Sequence, residues 1–570
     1  MQRKIKNQMK DFRNAIIECV PNFSEGVNMD IIKQITNEIE TVEGVQLLDV
    51  DPGKATNRTV VTFVGNPQAV IDAAFLAIKK AGELIDMRNH KGEHPRMGAT
   101  DVCPLIPISG ITVEEAIFFA NQLAKRVGEE LNIPTYLYEY AATADYRRNL
   151  ADIRSGEYEG FAAKIVKPEW KPDYGNAIFN ERSGATVIGV RDFLIAYNVN
   201  LNTTSTRRAN SVAFDIREKG RQKTDDKGKV VKDEKGEAVW VPGLLKSVKA
   251  IGWFIEEYGI AQISMNLTNM HVTPLHVAFD TSCERAAARG MRVTGSELVG
   301  LVPLEAILEA GKYFLRKQQR SVGVSQAELI KIAVRSLGLD ELAPFDPQKK
   351  IIEYRLRDIA AKKLVNMTVT GFALETASES PAPGGGSIAA YCGALGSALA
   401  TMVANLSSHK KGWDSRWEEF SNHAEKGQKL MSEMLDLVDE DTAAFNHIMA
   451  AFGLPKSNDV EKAARKAAID AATINAIKVP FRTMELAAQS FDLIQAMAEI
   501  GNPNSVSDAG VGALCARAAV KGAYLNVKIN AQDLKDHAEV KPLVEKAEAM
   551  NADADKREQE IWNIVLGKMK

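Results

Sequence analysis

NMDIIKQITNEIETVEGVQLLDVDPGKATNRTVVTFV, residues 28–64, holds two hydrophobic periods in one stretch. Ile31, Ile32, Ile35 and Ile39 recur at helical spacing, so 28–41 predicts an amphipathic helix, whereas the apolar runs at 45–50 and 59–64 predict strands. Working outward, runs at 15–20 and 102–108 add strands and 67–86 adds a helix, which gives the order βαββαβ. The chain then repeats the pattern: strand 193–201, helix near 205–218, strands near 247–255 and 261–268, helix 273–289, strand 292–298. Two α/β lobes of ferredoxin-like βαββαβ type follow, each a split βαβ sheet with helices on one face. A crevice between such lobes is a default place for a ligand. Strand 193–201 sets Phe193, Ile195, Tyr197, Val199 and Leu201 on one face and Asn198 and Asn200 on the other, so two amides are expected toward that crevice. Residues 304–317 and 326–337 read as helices closing the second lobe. The two prolines of LAPFDPQKK, 342–350, mark a connector.

From about 371 the texture becomes all-helical, with helices near 386–408, 413–451, 459–500, 505–529 and 537–566. The expected domains are 1–192, 193–345, a linker 346–370 and a helical bundle 371–570. The uncharged run 387–406, SIAAYCGALGSALATMVANL, is long enough to cross a bilayer, but its Ala, Gly and Ser content suits a buried bundle helix better. At 570 residues and 45% hydrophobic the chain has material for several cores, three or four domains at ~150 residues each. A net charge of −3 provides no bulk attraction for nucleic acid or anionic membrane. Cys19, Cys103, Cys283, Cys392 and Cys515 show neither zinc spacing nor a disulfide framework, which fits a reducing cytoplasm. The leader MQRKIKNQMKDFR is basic but lacks the apolar core of a secretory signal. KTDDKGKVVKDEKGEA, 223–238, reads as a solvated hairpin or loop.

HKGEHPRMGATDVCP, 90–104, places two of only eight histidines beside carboxylates and an arginine. His90 to His94 fits the helical zinc motif H-x-x-E-H, but Gly92 and Pro95 disfavour the helix that such a pair needs. An acid–base imidazole near Glu93, Arg96 and Asp101 is the favoured reading; loop histidines satisfied by backbone are the plain one. In the helical half, Leu430, Met434, Leu437, Asp441, Ala444 and Ile448 step by 4, 3, 4, 3 and 4, an apolar stripe with one carboxylate in it. Asp441 should face the core, and Asp439, about 200° round from Leu437, the wet side. Desolvation would raise the pKa of Asp441 toward acid–base use; a buried cap or helix–helix hydrogen bond is the alternative. The glycines of PAPGGGS, 381–387, expose N–H groups at a helix start, or else merely begin the helix with Ser387 as cap. Asn504 and Asp508 in GNPNSVSDAGVGA, 501–513, are weaker candidates to complete a pocket.

CVPNFSEG at 19–26, LLDVD at 47–51, TNRTV at 56–60 and the histidine segment, then ASESPAPGGGSIAA at 377–390 and LVDEDTAAF at 437–445, stand in the order found in the formimidoyltransferase-cyclodeaminase family, which the chain resembles over nearly its whole length. The leader at 1–13 and the 223–238 stretch depart from the family. The resemblance implies transfer of a formimidoyl group from N-formimidoyl-L-glutamate to N5 of tetrahydrofolate, then ring closure of 5-formimidoyltetrahydrofolate to 5,10-methenyltetrahydrofolate with loss of ammonia. It implies His94 as transferase acid–base residue and Asp441 as cyclodeaminase acid–base residue. Expected substrate-binding residues are Asn22, Asp51, Arg58, His90 and Arg96. To these it adds a folate segment of Gly175, Asn176, Ala177, Ile178, Phe179, Asn180, Glu181, Arg182, Ser183 and Gly184, while Gly384, Gly385, Gly386 and Ser387 serve the second site. Asp51 would orient the histidine or be a strand-end turn residue, and Arg58 and Arg96 would hold substrate carboxylates. Tetrahydrofolate, in polyglutamylated forms, is the implied co-substrate, with no metal or redox cofactor and a ring-like homo-octamer as assembly. Rival readings are a zinc hydrolase using His90 and His94 and a non-catalytic folate-binding scaffold.

Overall fold

The structure is a computed structural model and describes residues 12, 15–53, 57–91, 95–256, 258–355 and 364–569. His94, Gly92 and Glu93 lie outside the described residues. Two compact units are present: Met1–Ala306 with Leu337–Arg357, and Ile307–Ser336 with Asp358–Lys570.

The first lobe begins β1 (Ile16–Cys19), β2 (Asn22–Phe23), α1 (Met29–Glu40), β3 (Val45–Gly53), β4 (Arg58–Gly65), α2 (Pro67–Leu84) and β5 (Thr100–Ser109), the expected βαββαβ order. β1 and β2 share one position between β4 and β5, and the break falls at Pro21, which has no N–H for the ladder. Asn28 caps α1 and Asn66 caps α2, which has Pro67 in its first turn. One face of α2 buries Val70, Ile71, Phe75 and Ile78, each contributing about 1.5–3 kcal/mol by removal from water. The sheet then extends beyond the expected pattern. After α3 (Val113–Glu130) come β6 (Thr135–Glu139), α4 (Leu150–Arg154), α5 (Glu157–Ile165) and β7 (Thr186–Val190), and β5, β7 and β6 pair in parallel. Leu137, Ile188 and Val190 join the core under α2 and α3, while Tyr136, Tyr138 and Val187 pack with Ile153, Phe161 and Ile165 of α4 and α5. The alternation of a strand makes these opposite faces, so helices cover both sides of the sheet here.

The second lobe is an antiparallel sheet of β8 (Ile195–Leu201), α6 (Thr206–Ile216), the hairpin strands β9 (Arg221–Gln222) and β10 (Trp240–Val241), then β11 (Val248–Ile255), β12 (Ile260–Leu267), α7 (Leu275–Ala287) and β13 (Val293–Val299), in strand order β11-β12-β8-β13. The 223–238 stretch is the expected exposed hairpin. Asp225 and Asp233 each accept from the N–H groups two and four residues on, making two tight turns. Asn200, expected toward the crevice, is fully buried instead: it donates to Glu341 at 2.6 Å and accepts from Gln262 at 2.8 Å. Asn198 is also buried.

α8 (Leu304–Lys317) and α9 (Gln326–Leu337) form at the expected positions, but residues 307–336 pack within the helical unit rather than closing the second lobe. The Val322 N–H donates to Ser421 Oγ at 3.0 Å, Asn405 donates to the Gly323 carbonyl at 2.8 Å, and Lys312 pairs with Glu425 at 2.8 Å. An amphipathic pattern gives a buried face without naming what buries it. Short α10 (Pro347–Lys350) and α11 (Ile352–Arg355) follow in the connector. The bundle itself comprises α12 (Val369–Thr376), α13 (Gly385–Ser408), α14 (Trp417–Phe452), α15 (Asp459–Ile500), α16 (Val506–Asn530) and α17 (Lys541–Lys568). Among the described residues α13 alone is long and apolar enough to cross a membrane, and it is a core helix here: Gly393 sits against Met434 and Ala519, and Gly396 against Gly512. Small residues let these helices approach closely.

Candidate functional site

The first site gathers at the edge of the first lobe's sheet where β5 and β4 begin and β2 and β3 end. His90, after a 3₁₀ turn, is held at both ring nitrogens: Nδ1 accepts from Arg96 Nε at 3.2 Å, so Nε2 carries the proton and donates to the Asn57 carbonyl at 2.9 Å. An imidazole fixed in this way has no lone pair left for a metal, so the zinc reading loses its first ligand. Asn57, at φ +45°, ties the neighbourhood together by accepting from the Gly26 N–H and donating to the Lys91 carbonyl.

Arg96, expected to clamp a substrate carboxylate, is buried and fully engaged. Beyond His90 Nδ1 it donates to Glu157 at 3.0 Å, to both oxygens of Glu159 at 2.8 and 2.7 Å, and to the His90 carbonyl at 3.3 Å. It braces the histidine loop instead. A cavity of about 480 Å³ opens beside it, lined by Lys91, Arg96, Gly156, Glu157 and Glu159. Arg58 is the first residue of β4. Its guanidinium is lowered from the ordinary value by burial and then by the charge of Arg154, against the opposing pull of Asp101 and Asp51. Asp101 is fully buried, paired with Arg154 and accepting from the Met97 N–H at 3.0 Å. Asp51 is an exposed residue inside β3, opposite Val60, not a strand-end turn. Asn22, expected to bind substrate, lies in β2, buried, and donates to the Val20 carbonyl.

The 175–184 segment runs along this loop. The Met87 N–H donates to the Arg182 carbonyl, the Ala99 N–H to the Ser183 carbonyl, and the Ala185 N–H to the Met97 carbonyl. Gly184 has φ +67° and touches the backbone of Met97 and Gly98, so its missing side chain serves the fold's own close approach. Phe179 packs on Tyr158 and Phe161 with ring centres 5.4 and 5.9 Å away, Asn180 accepts from the Ser183 N–H, and Arg182 donates to α2's last carbonyls. Asn176, Ala177, Ile178 and Glu181 are exposed, with Ile178 presenting an apolar side chain to solvent. Sequence reasoning missed Asn57, Arg154, Glu157, Tyr158 and Glu159; only Asn57, inside the quoted TNRTV block, had a local signal. The crevice between the lobes, about 330 Å³ and lined by Pro107–Val113, Asp192, Phe193, Met270, His271 and Glu305, contains none of the expected substrate-binding residues and neither Asn198 nor Asn200. It lies at the far end of β5, about 30 Å along the strand.

The second site lies in the bundle. Leu430, Met434, Leu437 and Ala444 are buried and Ile448 half-buried, so α14 carries the stripe with Asp441 in it. Asp441 Oδ2 accepts from Ser387 Oγ at 3.0 Å, and its carboxylate also takes the Ser387 N–H. Burial pushes its carboxyl above the ordinary aspartate value; the Ser387 bonds oppose that shift and leave it raised. Gly384 is the N-cap of α13, which makes Ser387 a buried first-turn residue and not the cap. A side chain at Gly386 would strike the Asp441 carboxylate, and Gly385 lies beside the Asn526 amide. Asp439 is half-buried rather than on the wet side, because the chain at Leu364 crosses α14 and its N–H donates to Asp439 at 2.7 Å. Asn504 and Asp508 sit at the start of α16, which runs antiparallel to α13, and therefore at the opposite end from Asp441; the Asn502 N–H there donates to Ser407. Asn526 takes the place expected of them. Among the described residues no three His, Cys, Asp or Glu side chains converge as metal ligands.

Three family descriptions match in series: formiminotransferase domain, N-terminal subdomain, at 16–191, formiminotransferase domain at 196–357, and formiminotransferase-cyclodeaminase at 368–549. Formimidoyltransferase-cyclodeaminase of Mus musculus is 41% identical over 92% of this chain and 94% of its own length. The chain belongs to the formimidoyltransferase-cyclodeaminase family. The Dictyostelium discoideum member is 40% identical over 97% of this chain and 99% of its own. Glutamate formimidoyltransferase of Streptococcus pyogenes serotype M1 is 40% identical over 53% of this chain and 93% of its own. The formiminotransferase match runs through residues 307–336, although these pack in the helical unit.

Proposed function

We propose that the chain is a bifunctional enzyme, a glutamate formimidoyltransferase joined to a formimidoyltetrahydrofolate cyclodeaminase. The first unit moves the formimidoyl group of N-formimidoyl-L-glutamate to N5 of tetrahydrofolate, and the helical unit closes N10 onto that carbon and releases ammonia. His94 takes the N5 proton and returns one to the departing glutamate nitrogen. Arg96 and His90, which flank it in the chain, bond to one another, with Arg58 for a substrate carboxylate and the 175–184 segment for the pterin. Asp441 takes the N10 proton and delivers one to the leaving nitrogen. The observation that best supports this reading is Asp441, a carboxylate raised by burial within an apolar stripe and met by the first turn of α13.

The proposed domains are 1–192 and 193–345 for transfer, 346–370 as linker and 371–570 for ring closure, amended so that 307–336 supports the bundle. A ring-like homo-octamer in the cytoplasm, acting on polyglutamylated folates, completes the reading. The test is methenyltetrahydrofolate formation from formimidoylglutamate and tetrahydrofolate. His94→Ala should lose roughly 10²–10⁴-fold in transfer and still cyclise supplied 5-formimidoyltetrahydrofolate. Asp441→Asn should transfer normally and accumulate that intermediate. Mixing the two variants should restore product; tight tetrahydrofolate binding with no turnover by the unaltered chain would favour a scaffold instead.

A further inference from the structure

On the second lobe, sharing no residue with either site, Asp215 at the end of α6 receives three guanidinium groups: Arg221 from β9, Arg285 from α7 and Arg289 just beyond it. Arg285 reaches Oδ2 through Nε at 3.0 Å and Nη2 at 2.9 Å. The carboxylate is 10% exposed, but Arg221 and Arg285 are 40% and 38% exposed and Arg289 19%, so the cluster is open to solvent on the cationic side. Among the described residues no other carboxylate pairs with Arg221, Arg285 or Arg289. Glu218 is used by Lys246 and the Ser247 N–H, and Glu284 makes no ion pair among the described residues.

Arg221 and Arg289 are lowered from the ordinary guanidinium value, first by burial and then by neighbouring positive charge: Arg289 and Arg285 act on Arg221, and Arg285 and Arg208 on Arg289. The C-terminal ends of α6 and α7 each offset roughly half an elementary charge, which leaves a clear positive surplus. Arg221 also donates to the Ser211 carbonyl and Arg289 to the Arg285 carbonyl. Arg221 Nε and Nη1, Arg285 Nη1 and Arg289 Nε then have no acceptor among the described residues. Planar forks converging on one point, with donors left over, match the geometry of phosphate and carboxylate groups.

We propose that Arg221, Arg285 and Arg289 form a binding site for a compact, multiply charged oxyanion, seated beside Asp215 and sharing no residue with either reaction centre. Calorimetric titration of the full chain with inorganic pyrophosphate and with citrate, each against sodium chloride at equal ionic strength, tests it. One saturable site is expected, weakened at least tenfold in Arg285→Ala/Arg289→Ala and in the milder Arg221→Gln, with transfer and cyclodeamination unchanged. Asp215→Asn should keep or tighten binding, because the carboxylate competes with the ligand for the same donors. Whichever anion binds more tightly identifies the source as phosphate or polycarboxylate. Absence of saturable binding by both anions, binding that neither arginine variant moves, or binding lost in an Asp215→Asn chain that keeps its melting transition overturns the site.

Discussion

Arg96 and His90 define the residue scale, because both ring nitrogens of His90 and every N–H of Arg96 are spent within the protein. Arg96→Lys keeps the charge but loses the fork that meets Glu159 and His90 together. Transfer should fall roughly 10²-fold through misplacement of the loop, with cyclodeamination untouched. Equal transfer by the variant would mean that the loop does not need this brace. Glu18 on β1 offers a second test at this scale. It is buried, and burial lifts its carboxyl to about 7 from 4.5 against the weaker pull of Arg191. Below pH 4.5 folded and unfolded chains both hold the proton; between 4.5 and 7 only the folded chain does, so Glu18's contribution to stability is lost as pH rises through that window. The loss at pH 8 is about 3 kcal/mol. Glu18→Gln should therefore raise the urea midpoint at pH 8 and give no such gain at pH 4. A gain of the same size at both pH values would remove ionisation as its cause.

The start of α13 and the middle of α14 meet at one residue pair, Gly386 and Asp441, and that contact is an element-scale constraint. Gly386→Ala should push the Asp441 carboxylate off Ser387 and abolish cyclodeamination while transfer continues. Asp439→Asn should keep cyclodeamination and cost about 1 kcal/mol through its weakened bond to the Leu364 N–H. An inactive Asp439→Asn chain with active Asp441→Asn would reverse the phase of α14 as the explanation of chemistry. Steps of 3 and 4 made the Asp441 stripe legible because residues at that spacing must share a helix face. The same arithmetic sent Asp439 to solvent, since a helical wheel contains no information about a distant segment crossing it.

At the scale of the whole molecule, α8 and α9 belong by packing to the bundle and by family match to the transferase. A fragment of residues 301–570 should melt at least a few degrees above one of 371–570, which lacks the Lys312–Glu425 pair and the Val322–Ser421 bond. Identical melting of the two would make the packing of 307–336 on the bundle incidental. Residues 1–345 alone should transfer but expose the faces of α8 and α9 that the bundle covers, and so aggregate more readily on heating; light scattering against the full chain measures this.

The sequence by itself determined the βαββαβ order of both lobes, the change to an all-helical half and the phase of Asp441, because each is a local matter of hydrophobic period. It also determined the family, through collinear motifs. Tertiary structure decided that Arg96 is consumed by Glu157 and Glu159 more than 60 residues away, that β6 and β7 extend the first sheet, that Asn200 is closed off by Glu341, and that Asn526 rather than Asn504 lies at the start of α13. Each of these is a pairing between segments far apart in the chain. Residue type specifies what a donor or an apolar face needs, and only the folded chain specifies which partner meets that need.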